Sequence, residues 1–310
     1  MRRTRPKRVS CRGFTLIEFV LTIVLVGIIV AATVYFTYPV LQTVDIEARA
    51  ELTDIADNTL QRIGREVRLA LPNSVRVTTS GATQFVEFLP IRTAGRYRAE
   101  AGSVSAGSDC PADGVAAPVA DQLSFDVSDT CFKTIGPVVD VASITTSDFL
   151  VFNNYGCATS PPTCGQDAYA TAAPLNRIKI SAVADEGTRA RFSFAATTLD
   201  RSLHDSPGKR FFVVIGNGTT PEPVSYVCDP SSKTVVRRWG YTMSPTQPTS
   251  FTNGLSAQIA SDVTGCNFDY LPNVAPQIGL LTLRLTLSRT VSTGIETVSL
   301  YHSVHVSNVP

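Results

Sequence analysis

The chain has 310 residues, 44% of them hydrophobic and 17% charged, with a formal net charge of +1. Arg2, Arg3, Arg5, Lys7, Arg8 and Arg12 place six of the 27 basic residues within the first thirteen positions, which leaves 21 against all 26 acidic residues and a net of −5 for the remainder. A body of that sign matches nucleic acid poorly, because its binders present a basic face, and no nucleic-acid partner is expected.

Behind the basic head, Glu18 is the single charged residue between Phe14 and Val40. The run "FVLTIVLVGIIVAATVYFTY" is long enough to cross a bilayer as a helix. Basic residues in front of it and none just behind predict a cytoplasmic head and an external body. Glu18 needs an explanation, since a carboxylate at the bilayer centre costs about 2.5–3.5 kcal/mol even on a lenient scale. Three readings compete. A secretory signal peptide would find a small-residue cleavage site at Val30-Ala31-Ala32, but the apolar run continues through Val34, Tyr35 and Phe36. A plain signal anchor fits the length and leaves Glu18 without a role.

The third reading uses every residue. Following the basic head, Gly13-Phe14-Thr15-Leu16-Ile17-Glu18 resembles the type III signal of the type IV pilin family. The resemblance implies scission between Gly13 and Phe14 by a prepilin peptidase, methylation of the new Phe14 amine, and no cofactor or catalysis in the chain itself. It also implies a physical answer for Glu18. Its carboxylate pairs with the Phe14 amine of a neighbouring subunit, an attraction that strengthens as the dielectric falls. An intramolecular pair with Phe14, without a role in assembly, is the alternative.

Pro39 is predicted to kink the helix or to mark its exit from lipid. A second helical pattern follows from Asp45 to Ala70. Leu52, Ala56, Leu60, Ile63, Val67 and Leu71 recur every three or four residues as one apolar stripe, with Gly64 a weak point and Pro72 the stop. The stripe requires a cover, and strands supply it. "SVRVTTSGATQFVEFLPI" predicts a hairpin turning at Ser80-Gly81, and "RIKISAVADEGTRARFSFA" another at Asp185-Glu186-Gly187. The stretch from Arg210 to Tyr241 reads as three short strands with a turn at Asn217-Gly218. "IGLLTLRLTLSR" and "ETVSLYHSVHVSN" alternate and should be antiparallel neighbours. Segments 92–120 and 154–175 read as loops. The expected organisation is a leader over 1–13, a transmembrane helix over 14–40, an amphipathic helix over 41–72 and a β-rich head over 73–310. The expected fold is α+β and pilin-like, with a long N-terminal helix packed on an antiparallel sheet.

Cys11 lies in the head, and Cys110, Cys131, Cys157, Cys164, Cys228 and Cys266 lie beyond the apolar run. An even set in a Gly/Pro-punctuated region points to disulfides in an oxidising compartment. Pairing of sequence neighbours, 110–131, 157–164 and 228–266, is the preferred one of fifteen connectivities. Free buried cysteines are the other possibility.

Catalytic and metal-binding patterns are not found. His302 and His305 are three apart in an alternating segment and should face opposite ways. His204 before Asp205 reads as ordinary loop chemistry, "AGSVSAGS" lacks the context of a nucleophile elbow, and Gly216-Asn217-Gly218 reads as a turn. Cys157 and Cys164 are too far apart for a C-x-x-C site. The basic and aromatic cluster Arg92, Arg96, Tyr97, Arg98 reads as a solvated loop, and Trp239 beside Arg237 and Arg238 as a core or edge residue.

"ADNTLQRIGREVRLALPNSVRV", "VCDPSSKTVVRRWGY" and "VSLYHSVHVSNVP" resemble the MshO-type minor pilins of mannose-sensitive haemagglutinin pilus biogenesis. That resemblance implies a low-abundance subunit that initiates, caps or helps assemble a pilus. Its partners would be other major and minor pilins, the peptidase and, indirectly, a platform protein and an assembly ATPase. The location would be the bacterial inner membrane and then the periplasm or the pilus. The alternatives are a J-like pseudopilin at the tip of a type II secretion system, or a membrane-anchored adhesin domain.

Overall fold

The computed structural model describes residues 15–99, 110, 122–156, 165–275, 277–291 and 294–310, the side chains of 37–46 excepted. Helix α1 spans Leu16–Val67 and continues through Pro39, where the sequence predicted a kink or an exit. A proline removes one N–H from the ladder, and one missing bond does not end a helix whose flanking turns are intact. The chain divides into two compact units, Met1–Glu51 with Thr290–Glu296, and Leu52–Arg289 with Thr297–Pro310. In the first, Arg49 pairs with Glu296 at 3.2 Å.

The second unit is built on antiparallel sheets, giving an α+β fold with a long N-terminal helix. Its strands are β1 (Arg76–Ser80), β2 (Thr83–Phe88), β3 (Ile91–Arg96), β4 (Ser128–Lys133), β5 (Phe149–Phe152), β6 (Arg177–Asp185) and β7 (Ala190–Thr198). After the short helix α2 (Arg201–His204) come β8 (Arg210–Val214), β9 (Val224–Asp229), β10 (Thr234–Trp239) and β11 (Leu255–Ala260). Three long strands follow, β12 (Val263–Ala275), β13 (Ile278–Val291) and β14 (Gly294–Ser307). They form a five-stranded sheet β1-β2-β9-β10-β11, a six-stranded sheet β3-β8-β5-β6-β7-β4 and a three-stranded sheet β12-β13-β14.

The helix is placed by its stripe. Leu52, Ala56, Leu60, Ile63 and Val67 share one core with Val86, Phe88 and Tyr226 of the five-stranded sheet and Leu281, Leu283, Leu285 and Leu287 of β13. Each of the five is at most 2% exposed. Leu71, expected on the same stripe, lies past the helix end and joins a different cluster with Leu89, Val151 and Tyr169. Pro72 and the chain's departure toward Leu89 end the helix: the N–H of Leu71 donates to the Leu89 carbonyl at 2.8 Å, and Ile91 N–H to Leu69. Gly64 is explained by a neighbour. A Cβ there would lie 2.8 Å from Nε2 of His302 and 3.1 Å from Val304 Cγ2, so the residue allows β14 close to the helix.

The hairpin β1–β2 closes on the pair Ser80↔Thr83, and Gly81 at φ 61 supplies the left-handed backbone that a two-residue loop requires. Asp185 pairs with Ala190 across the second predicted hairpin. The turn at Asn217-Gly218 exists, with Asn217 N–H donating to Thr220, but it does not join two paired strands. β8 lies in the six-stranded sheet and β9 in the five-stranded one. A second correction concerns segment 92–120, read as loop. Its start is β3, which pairs with β8 from Ile91↔Val214 to Arg96↔Arg210. Gly95 makes this possible, since a Cβ there would meet the Phe211 ring at 2.6 Å.

A separate aromatic core fills the six-stranded sheet, with Phe132 in ring contact with Tyr97, Phe152, Phe192, Phe194 and Phe211. Where the helix side meets this half, Asn73 adopts φ 60, and its side-chain amide donates to the carbonyls of Asn154 and Asn308.

Cys228–Cys266 ties β9 to β12 and Cys110–Cys131 ties residue 110 to β4. Cys157 and Cys164 lie outside the described residues. The 228–266 bridge closes a separation of 38 residues, which by chain entropy stabilises by about 4 kcal/mol. The double variant Cys228→Ser with Cys266→Ser should lower the denaturant midpoint accordingly; an unchanged midpoint refutes that share.

Candidate functional site

The residues singled out for processing, Gly13 and Phe14, lie outside the described residues, as do Cys11 and the basic head. Immediately after them the helix begins. Thr15 precedes its first residue, and its Oγ1 accepts from the Glu18 N–H at 3.4 Å and donates to the Glu18 carboxylate at 3.4 Å. The Thr15 carbonyl accepts from the N–H groups of Glu18 and Phe19. Thr15-x-x-Glu18 is therefore a form of capping box, and a negative charge in the first turn is favoured by the unpaired N–H groups there. The T-x-x-E pattern directly before an apolar run carried this signal in the sequence; the part played by Thr15 was missed.

From Leu16 to Phe36 the helix is apolar and exposed along its whole length. Twenty-one residues rise about 31 Å, close to the hydrocarbon thickness of a bilayer. Its threonine hydroxyls are satisfied within the helix, Thr22 donating to the Phe19 carbonyl at 2.8 Å and Thr33 to that of Ile29 at 2.6 Å. Such internal bonding suits a segment surrounded by lipid. Glu18 alone presents charge in this stretch, with its carboxylate exposed at the end of the span. The arrangement is consistent with membrane anchoring and leaves one acid exposed in the first turn of the helix.

Other candidate chemistry is absorbed by the fold. Tyr97 is fully buried, donating its hydroxyl to Asp205 at 2.9 Å and accepting from Ser206 N–H. Burial pushes its pKa upward, with the Asp205 charge adding to the effect. Arg92 pairs with Asp148 and Arg96 donates to the Gly208 carbonyl, so the cluster read as a solvated loop begins in β3 and continues into a buried tyrosine just past its end, whose aromatic ring is not free to stack on a base. Trp239 is partly buried against the helix core, with Arg237 lying 5.0 Å over its ring. His302 faces Gly64, whereas His305 is exposed on the other face of β14. At Gly216 a Cβ would stand 2.3 Å from the Ser147 carbonyl, which suits a turn packed on backbone. "AGSVSAGS" lies outside the described residues. Among the described residues no group of three or more His, Cys, Asp or Glu is placed to hold a metal ion.

His204 departs from its reading as loop chemistry. It is 2% exposed, its Nδ1 accepts from Asp200 N–H at 3.0 Å, and its Nε2 lies 2.9 Å from the Gly165 carbonyl. These contacts need the neutral ring with the proton on Nε2. Burial pushes the pKa below the ordinary 6.5, against the opposing pull of the Gly165 carbonyl and of Asp200. The unfolded chain thus binds more protons just below pH 6.5. This stability is full above that pH and is lost as pH falls through the folded value. Thermal unfolding followed from about pH 8 to about pH 5 should show the loss, and His204→Gln should remove that component of the slope. An identical slope in the variant would contradict the assignment.

Comparison with known proteins bears on the N-terminal segment. Residues 8–34 match the family model described as the prokaryotic N-terminal methylation motif. No curated protein and no solved structure matches the chain. The match covers the capping residues, Glu18 and most of the apolar helix, and supports a type IV pilin-like or pseudopilin-like protein.

Proposed function

We propose that the chain is a structural minor pilin of a type IV pilus of the mannose-sensitive haemagglutinin kind, acting in initiation, tip formation or assembly. A peptidase cuts between Gly13 and Phe14, and the Phe14 amine is methylated. Before assembly the apolar helix holds the subunit in the inner membrane with its head in the periplasm. On assembly Glu18 meets the Phe14 amine of an adjacent pilin. The chemistry of cutting and the work of extraction belong to the peptidase, the platform protein and the ATPase, and the chain contributes no catalysis.

One observation carries this reading: the methylation motif over residues 8–34 coincides with a lipid-length exposed helix whose single acid sits in its first turn. Two unit charges 4 Å apart attract by about 4 kcal/mol at an effective dielectric of 20. Glu18→Leu should therefore reduce recovery of the chain in sheared filaments by at least about tenfold, with unchanged levels in the membrane. Mass spectrometry of the wild-type chain should find a methylated Phe14 at its N-terminus. Retention of residues 1–13, or undiminished recovery of the Glu18→Leu chain, would overturn the proposal.

A further inference from the structure

The free edge of β1 is lined by a groove of about 420 Å³, within the size range of ligand clefts. Residues 73–78 all contribute to its wall. A cavity over one face of a strand is lined by alternate residues, because side chains alternate. Arg76, Val77 and Thr78, the first three residues of β1, line it in succession, so the groove follows the strand's edge.

β1 terminates its sheet, and among the described residues no strand pairs with its outer side. The closing pair Ser80↔Thr83 of the two-residue loop exchanges both backbone bonds, as do the pairs Thr78↔Phe85 and Arg76↔Glu87. The N–H and C=O of Val77 therefore point away from β2 and toward the groove, and no backbone partner meets them among the described residues. Gln247, 8% exposed, also lines the groove. Its amide nitrogen donates to the Phe85 carbonyl at 3.2 Å, while its Oε1 has no hydrogen-bond partner. A buried acceptor left unpaired is costly.

The charges around the groove are already matched. Arg76 gives its guanidinium to Glu87 and to the carbonyls of Ser244 and Pro245. Asp167 accepts from Tyr169 N–H and is balanced electrostatically by Arg177. A charged occupant would bring a charge without a counterpart, so the complementary ligand is uncharged and polar.

We infer that this groove accepts an extended, uncharged segment of another protein chain as an added strand beside β1, bonded to the Val77 backbone and donating one side-chain hydrogen bond to Gln247 Oε1. Main-chain pairing at a sheet edge supplies affinity and the side-chain contact supplies selectivity. The inference goes beyond the assembly reading and does not depend on it.

The test uses the full chain in detergent micelles and an immobilised set of octapeptides that alternate valine and threonine. Their central residue is asparagine, serine, valine, lysine or aspartate. The asparagine and serine members should bind best. Val77→Pro removes the outward N–H at an edge position where proline is tolerated. Gln247→Met removes the acceptor at similar volume. Each should weaken binding about tenfold, the worth of one to two hydrogen bonds. Binding no better than to an octaproline control, a preference for the lysine or aspartate members, or full binding by a folded Val77→Pro chain would overturn the inference. If Val77→Pro does not fold, Gln247→Met decides alone: the preference for asparagine over valine must vanish, and its persistence refutes the site. Because no cleavage or filament is needed, failure here is separable from failure of the pilin reading.

Discussion

Phe132→Ala should cost about 3–5 kcal/mol of folding stability, which would bring a domain of ordinary stability close to its unfolding threshold. The ring is fully buried and makes contact with five other rings, at centroid separations from 5.2 Å to Phe211 to 6.4 Å to Tyr97. Its removal leaves a void lined by groups that cannot collapse freely, because Tyr97 is fixed at its hydroxyl by Asp205 and Ser206. Phe132→Leu retains most of the buried volume and should cost well under half as much. Denaturant unfolding of the full chain in micelles measures both. Equal losses for the two variants would show that the contacts among rings, and not the volume, are what matters.

Asp148→Ala should cause a loss of similar size for a different reason. Its side chain has no exposure. One carboxylate oxygen accepts from Arg92 Nε at 2.7 Å and from the N–H and hydroxyl of Thr145, and the other accepts from Gly216 N–H at 3.2 Å. The carboxylate thereby joins the start of β3, the turn before β5 and the turn after β8. Alanine removes the acceptor for all of these donors at once and leaves the Arg92 charge, 28% exposed, without its partner. Removal of one member of a buried pair costs about 3–5 kcal/mol. Asp148→Asn keeps the shape and part of the accepting capacity, so it should lose less. A destabilisation under about 1 kcal/mol for the alanine variant would mean that water replaces the carboxylate without penalty.

The sequence made the helix legible through periodicity. Leu52 to Val67 needed only their spacing, and the apolar span needed only its length. The preferred neighbour pairs 110–131 and 228–266 coincide with bridges in the structure. What stayed hidden depends on distant partners. Arg92-Thr93-Ala94-Gly95-Arg96 has a single strand former, Thr93, and it is a strand because β8 holds it and Gly95 admits the Phe211 ring. Asn217-Gly218 announces a turn but cannot say which sheet receives the chain afterwards. His204 reads as ordinary loop chemistry in its polar turn, and only the fold brings the Gly165 carbonyl to its ring across 39 residues. At the candidate site, Glu18 was conspicuous because a lone charge in an apolar run has few explanations. Thr15, which shares its hydrogen bonds, was passed over because a threonine at that position draws no notice.

The asparagine that follows the helix has a consequence for the order of events during folding. The partners of Asn73 lie 81 and 235 positions later in the chain. The bend leaving the helix therefore cannot acquire its native contacts until the final strand has docked. Contacts of such long sequence separation form slowly, and strand edges remain uncovered while they form. Hydrogen exchange pulsed during refolding should show this corner protected last, well after the β6–β7 hairpin.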